Sequence, residues 1–272
     1  MKFNFKDKVV LITGSASGIG KIMMRKALEK GAKEIVMLDY NLVGINQAKE
    51  DFAYFGKTIH TYEVDLSQQE QVLAVIEKIK FDIPLIDVVI NNAGVIVGKN
   101  YVDHTVKDIN WTMAINTIAV MLITNAFLPD MVKRNHGVVC NIASMAGLTS
   151  TPKMAAYVAS KWAVVGFSET IHLEMKQAKS KVIINCVMPF YINTGMFDGV
   201  KSRIVPIPRG PIPMLAAPPE TPIFSNATTL QPASEASTEA ASPAGPVPII
   251  TTSACKFFII ALLIPKSIHM FE

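Results

Sequence analysis

VVLITGSASGIG, residues 9–20, runs four apolar residues straight into a turn with three glycines, Gly14, Gly18 and Gly20. A short run of branched apolar residues reads as a buried strand, and the stretch after it, 18–30, reads as an amphipathic helix. Glycines let the turn between them close and let its backbone approach a pyrophosphate. The N-terminus of the following helix, at Gly18, Ile19 and Gly20 after Ser17, adds N–H groups and partial positive charge for the phosphates. A glycine turn alone fits a plain strand–helix connection about as well, so its meaning depends on what surrounds it.

Outward from this turn the same alternation repeats. Strands are predicted at 34–38, 58–64, 86–90, 137–142 and 182–187, with helices at 42–55, 68–80, 109–134 and 155–179. Strand, helix, strand in repetition means a parallel sheet covered on both faces, and several strands are near-continuous apolar runs, as such a sheet requires. Right-handed crossovers then give an α/β fold, a doubly wound parallel sheet of the Rossmann kind. The expected organisation is one dinucleotide-binding catalytic domain over 1–207, a low-complexity tail over 208–254 and an apolar segment over 255–272.

Asp39 ends the second strand about 20 residues after the last glycine. A carboxylate there accepts hydrogen bonds from both hydroxyls of a ribose and repels a 2′-phosphate. Neither Ser17 nor Tyr40 is an Arg or Lys that would rescue such a phosphate. The expected cofactor is therefore NAD. The bland alternative for Asp39 is a loop aspartate capping the next helix.

Composition narrows the classes. Half of the 272 residues are apolar, enough for a sizeable core, and the formal charge is only +4 with no basic block, which argues against nucleic acid as a partner. Cys140, Cys186 and Cys255 are far apart, with no CxxC or His spacing for zinc, so no metal is expected; Cys140 and Cys186 read as buried thiols suited to a reducing cytoplasm. No signal peptide and no run of about 20 apolar residues is evident, and the short apolar stretch 257–264 permits only a weak, reversible contact with a membrane surface.

Tyr157-Val-Ala-Ser-Lys161 sets a phenol and an ammonium four residues apart on one helix face. A free tyrosine, with a pKa of about 10, is too weakly acidic to serve as a base at neutral pH, and a fixed cation lowers it. Ser144 follows the fifth strand at its C-terminal end, where open α/β sheets place their ligands. Three polar groups from two segments can thus meet beside a bound ligand.

The combined pattern resembles the short-chain dehydrogenase/reductase family: TGSASGIG at 13–20, Asp65-Leu66, NNAG at 91–94, Asn116, Ser144, YVASK at 157–161, and Pro189 through Thr194, in that order over roughly the first 200 residues. The stretches FGKTIHTYEVDLS, INNAGVIVGK, AFLPDMVKRNHG and PFYINTGMF look most like retinol dehydrogenases and 17-beta-hydroxysteroid dehydrogenases. The resemblance implies that Tyr157 is the general acid/base, that Lys161 lowers its pKa and holds the nicotinamide ribose, and that Ser144 bonds the substrate oxygen. It implies that Asn116 holds a water that relays protons through Lys161. Asp65 and Leu66 would flank the adenine. Asn92, Ala93 and Gly94 would line the adenine-ribose side and brace the sheet. Thr194 would contact the carboxamide, with Pro189 shaping the nicotinamide pocket. It also implies a homodimer or homotetramer, paired through the helices carrying Asn116 and Tyr157. Taken singly, Asn116 also fits a satisfied structural amide and Ser144 a turn cap.

Phe190 stands where many relatives carry glycine. Together with Met145, Met154, Met188, Met196 and Phe197 it fits either a pocket for a long apolar alcohol or ketone, or ordinary core packing. Beyond Ile207 the family's pattern stops. Eleven of the sixteen prolines lie between Pro206 and Pro248, and TTLQPASEASTEAASPAGP buries too little to offset its ordering entropy, which predicts disorder. A divergent tail and a shifted reading frame both fit. The tail leaves open a second class of function, a dinucleotide-binding protein without turnover.

Overall fold

Five largely apolar runs and one more polar edge segment, TIHTYE, each too short for a helix, form the strands β1 (Val9–Thr13), β2 (Glu34–Asp39), β3 (Thr58–Glu63), β4 (Val88–Asn91), β5 (Val138–Ile142) and β6 (Ile183–Val187). Six helices lie between them: α1 (Gly18–Glu29), α2 (Leu42–Asp51), α3 (Gln69–Asp82), α4 (Val106–Met113), α5 (Ala119–Lys133) and α6 (Ala155–Gln177). The computed structural model describes residues 4–190 and Met196. Thr194, Phe197, Cys255 and the expectations for 208–272 lie outside the described residues.

All strands run parallel, in the order β3-β2-β1-β4-β5-β6. The chain winds outward in one direction through β3, then returns to start β4 beside β1. That reversal opens a crevice at the C-terminal ends of β1 and β4, where doubly wound sheets bind ligands. The pleat sorts the strand residues cleanly between two cores. Val9, Leu11, Val36, Leu38, Val89 and Val139 face α3, α5 and α6, which contribute Val72, Ile76, Ile123, Phe127 and Ile171. Val10, Ile12, Ile35, Met37, Val88 and Ile90 face α1 and α2, which contribute Met23, Met24, Ala27 and Ile45. Every residue of β1, β4 and β5 is buried, as burial on two faces demands.

The long helix differs most from its prediction. It starts at Val106, not 109, because Thr105 and Asp108 form a reciprocal capping box. It is then interrupted by a π-turn, Ala114–Ile118, between α4 and α5. The whole path Val106–Lys133 is long and apolar enough to cross a membrane by length and composition, which the sequence had not suggested. Its Ile115, Ile123, Phe127 and Met131 are instead packed into the core against the sheet. The second helix also stops early. It ends at Asp51 and gives way to a 3-10 turn, Ala53–Phe55, closed by Gly56 in the left-handed region.

Candidate active site

The glycine turn is held by its neighbours across the crevice. Thr13 Oγ1 accepts from the backbone N–H groups of Asn92 and Ala93, both at 3.0 Å. The Asn92 amide donates back to the carbonyls of Thr13 and Gly14 at 3.0 and 3.1 Å. Gly14 has φ +64°, and a Cβ on Gly20 would come within 2.0 Å of the Gly14 carbonyl oxygen. Gly20 therefore serves close packing behind the turn and does not itself line the cleft.

Ser17, the N-cap of α1, is extended and makes no side-chain cap, and the first turn holds no acidic residue. The N–H groups opening α1 are thus left without the usual hydroxyl or carboxylate partner. Gly14, Ser17, Gly18 and Ile19 line the cleft beside them. An uncapped helix start behind a turn with no room for a side chain at Gly14 or Gly20 fits a pyrophosphate.

Asp39 is buried at the end of β2. Its Oδ2 accepts from Ala16 N–H at 2.9 Å and its Oδ1 from Asn41 N–H at 3.1 Å. One carboxylate thus tethers the glycine turn while facing the cleft. Capping of α2 falls to Asn41, whose side chain accepts from Gly44 N–H. Asp65, Leu66 and Val64 close the same end of the cleft, with Asp65 Oδ1 accepting from Ser67 N–H.

At the other end stand Ser144, Tyr157 and Lys161. Lys161 is buried; its Nζ donates to the Ile142 carbonyl at 2.9 Å and lies 5.7 Å from the centre of the Tyr157 ring. Burial lowers its pKa to about 8, opposed by a smaller effect of Cys186. Ser144 caps the short turn Met145–Gly147, its Oγ accepting from Ala146 N–H at 3.1 Å. Gly147 lets that turn press on α6: a Cβ there would sit 2.9 Å from the Lys161 carbonyl oxygen. Beyond β5 and β6 the pairing continues, Ala143 N–H to Val187 O and Met145 N–H to Pro189 O, which sets Pro189 beside Ser144.

Among the described residues, the cleft of about 420 Å³ gathers every predicted site residue except Gly20 and Asn116. Asn116 is wholly buried. Its Oδ1 accepts from Val95 N–H at 2.8 Å, and its amide donates to Val95 O at 2.9 Å and Ser160 Oγ at 3.0 Å. A relay water on this side chain would have only the second lone pair of Oδ1 to bind; the arrangement present is a clamp. The two readings of the methionine and phenylalanine cluster, pocket lining and core packing, divide it between them. Phe190 and Met196 line the cleft, whereas Met145, Met154 and Met188 do not, and Met154 is fully buried. Tyr40, Val64, Val95, Ile115, Ile142 and Ala143 line it without having been predicted. All but Ile142 carried a signal: each adjoins a predicted site residue.

Comparison with known proteins agrees with this geometry. A family model described as short chain dehydrogenase matches residues 8–204. Estradiol 17-beta-dehydrogenase 11 of Rattus norvegicus is 33% identical over 206 residues, covering 75% of this chain and 69% of that protein. Epidermal retinol dehydrogenase 2 of Homo sapiens is 35% identical over 198 residues, covering 72% of this chain but only 64% of that protein. Among solved structures, a short chain dehydrogenase/reductase from Burkholderia phymatum in complex with NAD superposes with a TM-score of 0.68 at 30% identity, covering 72% of this chain and 70% of that one. A short-chain dehydrogenase from Sphingobium yanoikuyae in complex with NADPH gives 0.66 at 25% identity, covering 71% and 75%. The chain therefore belongs to the short-chain dehydrogenase/reductase family of oxidoreductases, whose fold binds a nicotinamide dinucleotide.

Proposed function

We propose that this chain is an NAD(H)-dependent oxidoreductase acting on a secondary alcohol or ketone of apolar, lipid-like character. The observation that carries the reading is that Tyr157, Lys161 and Ser144 share one cleft with the glycine turn and Asp39. When bound, the dinucleotide supplies or accepts the hydride. The chain's residues handle the proton. Tyr157 takes it from the alcohol oxygen or gives it to the ketone oxygen. The Lys161 ammonium beside the ring favours the phenolate and holds the nicotinamide ribose. Ser144 Oγ accepts a bond from Ala146 N–H, which leaves its own O–H to donate to the substrate oxygen. Pro189 lines the cleft beside Ser144 and would shape the nicotinamide end.

NAD is favoured over NADP by charge. Among the described residues lining the cleft, Lys161 is the only cation, and the adenosine end carries the two carboxylates Asp39 and Asp65. A 2′-phosphate would meet repulsion there with no partner. The apolar substrate is supported by Val95, Ala143, Pro189, half-exposed Phe190 and Met196 at the catalytic end.

The test is a panel of retinoids, steroids and simple secondary alcohols with NAD, followed by absorbance of the reduced cofactor. Turnover on apolar members, abolished in Tyr157→Phe with NADH binding retained, is the expected result. NADH binding with no turnover on any member would instead select a dinucleotide-binding protein without catalysis.

A further inference from the structure

Ser160 lies between Tyr157 and Lys161 on α6, wholly buried, yet it does not line the cleft. Its hydroxyl is engaged in both directions: Oγ accepts from the Asn116 amide at 3.0 Å and donates to the Tyr157 carbonyl at 2.7 Å. Its own carbonyl accepts from Thr117 Oγ1 at 3.2 Å. Two consecutive residues of the π-turn, Asn116 and Thr117, thus grip one residue of the catalytic helix. Consecutive residues of a regular α-helix point about 100° apart. A π-turn here brings both side chains onto Ser160, and such turns concentrate at functional sites. On its far side Asn116 holds both the N–H and the C=O of Val95, which lines the cleft.

We propose that Ser160 is a positioning residue, the link through which Asn116 and the cleft loop at Val95 set the helix turn that carries Tyr157. The inference rests on Tyr157 being the acid–base group. A serine mid-helix that bonds only its own helix tends to bend it; here the cross-helix partner fixes the direction of that bond. Removing the hydroxyl leaves the Asn116 amide one acceptor short and lets the Tyr157 turn relax, with no loss of any group that touches the reactants.

The full chain is assayed as wild type, Ser160→Ala, Thr117→Val and Tyr157→Phe, over a range of pH. For Ser160→Ala, kcat falls by roughly tenfold or more while KM for NAD stays within about twofold, since a small misplacement of a reacting group costs rate more than binding. The apparent pKa governing kcat moves by about half a unit or more as the phenol shifts against the ammonium. Thr117→Val, an isosteric change, moves kcat and the pH profile in the same direction by less, and decides the matter if Ser160→Ala does not fold. Asn116→Ala with Ser160→Ala is no slower than the slower single variant, because both cut one path. Wild-type kcat and pH profile in Ser160→Ala, or a loss that only tracks the folded fraction with the profile unmoved, overturns the proposal. Turnover surviving in Tyr157→Phe refutes the acid–base reading itself, a result distinct from either.

Discussion

Lys161 Nζ lies 5.7 Å from the centre of the Tyr157 ring and donates a hydrogen bond to the carbonyl of Ile142 at 2.9 Å. A buried cation on a neutral carbonyl is under-solvated, and burial accordingly lowers its pKa from 10.5 to about 8. The folded pKa is depressed, so the unfolded chain binds the extra proton more readily. Stability without cofactor should therefore rise as pH climbs from about 8 towards 10.5. Lys161→Met should flatten that rise and abolish turnover. Denaturant melts of both proteins across this range check it, and equal slopes would mean the ammonium is not under-solvated.

Asp39 has two jobs on one carboxylate. It faces the cleft, and it holds the glycine turn through Ala16 N–H. Asp39→Ala with Tyr40→Arg should raise the ratio of kcat/KM for NADP over NAD, because a repulsive charge is exchanged for an attractive one. The same change strands the buried Ala16 donor, a destabilisation of about 1–3 kcal/mol. Activity with either cofactor should therefore fall even as preference shifts. Asp39→Asn keeps an acceptor for Ala16 and should retain more of the stability. A wild-type preference for NADPH would contradict the charge argument outright.

The helices carrying Asn116 and Tyr157 expose Trp111, Ile118, Trp162 and Leu173. Apolar surface on neighbouring helices suits pairing with a second copy about a two-fold axis. The wild type should sediment as a dimer or tetramer. Ile118→Lys and Trp162→Lys should shift it to monomer, while Phe81→Lys, also apolar and still more exposed on α3, should change nothing. A wild-type monomer would dispose of the pairing.

What could be read in advance divides along a physical line. Strand positions came within a residue or two because burial on both faces forces continuous apolar runs, as in VVLIT and VVCNI. The glycine turn, Asp39 and the Tyr157–Lys161 pair were legible because their chemistry depends on local spacing. The start of α4 was also legible in principle: Thr105-Val-Lys-Asp108 is a capping-box signature that periodicity alone overlooks. Asn116 was not legible. Its partners, Val95 and Ser160, are 21 and 44 residues away, and only the fold shows that its amide is used up. The same holds for Asn91, whose amide spans to Thr124 and Asn141 while Asn141 reaches Ser168, tying β4, β5, α5 and α6 together. Motif spacing identifies such a residue without revealing which atoms it holds.

Two glycines make the last prediction a paired one. A Cβ at Gly20 would meet the Gly14 carbonyl oxygen at 2.0 Å and the Asn92 amide at 2.7 Å. Neither neighbour can retreat easily. The carbonyl belongs to the turn itself, and the amide is pinned by its bonds to Thr13 and Gly14. Gly20→Ala should therefore displace the turn, weaken NADH binding by roughly tenfold or more, and cost about 1–3 kcal/mol of stability, the usual range for overpacking. Gly166, in the middle of α6, has nothing within 4 Å of the corresponding position. Gly166→Ala should leave binding unchanged and stabilise the protein by about 0.5–1 kcal/mol through helix propensity. Fluorescence titration with NADH and thermal melts of the two variants give the answer. If Gly20→Ala binds as the wild type does, the turn can yield, and close packing is not why glycine stands there.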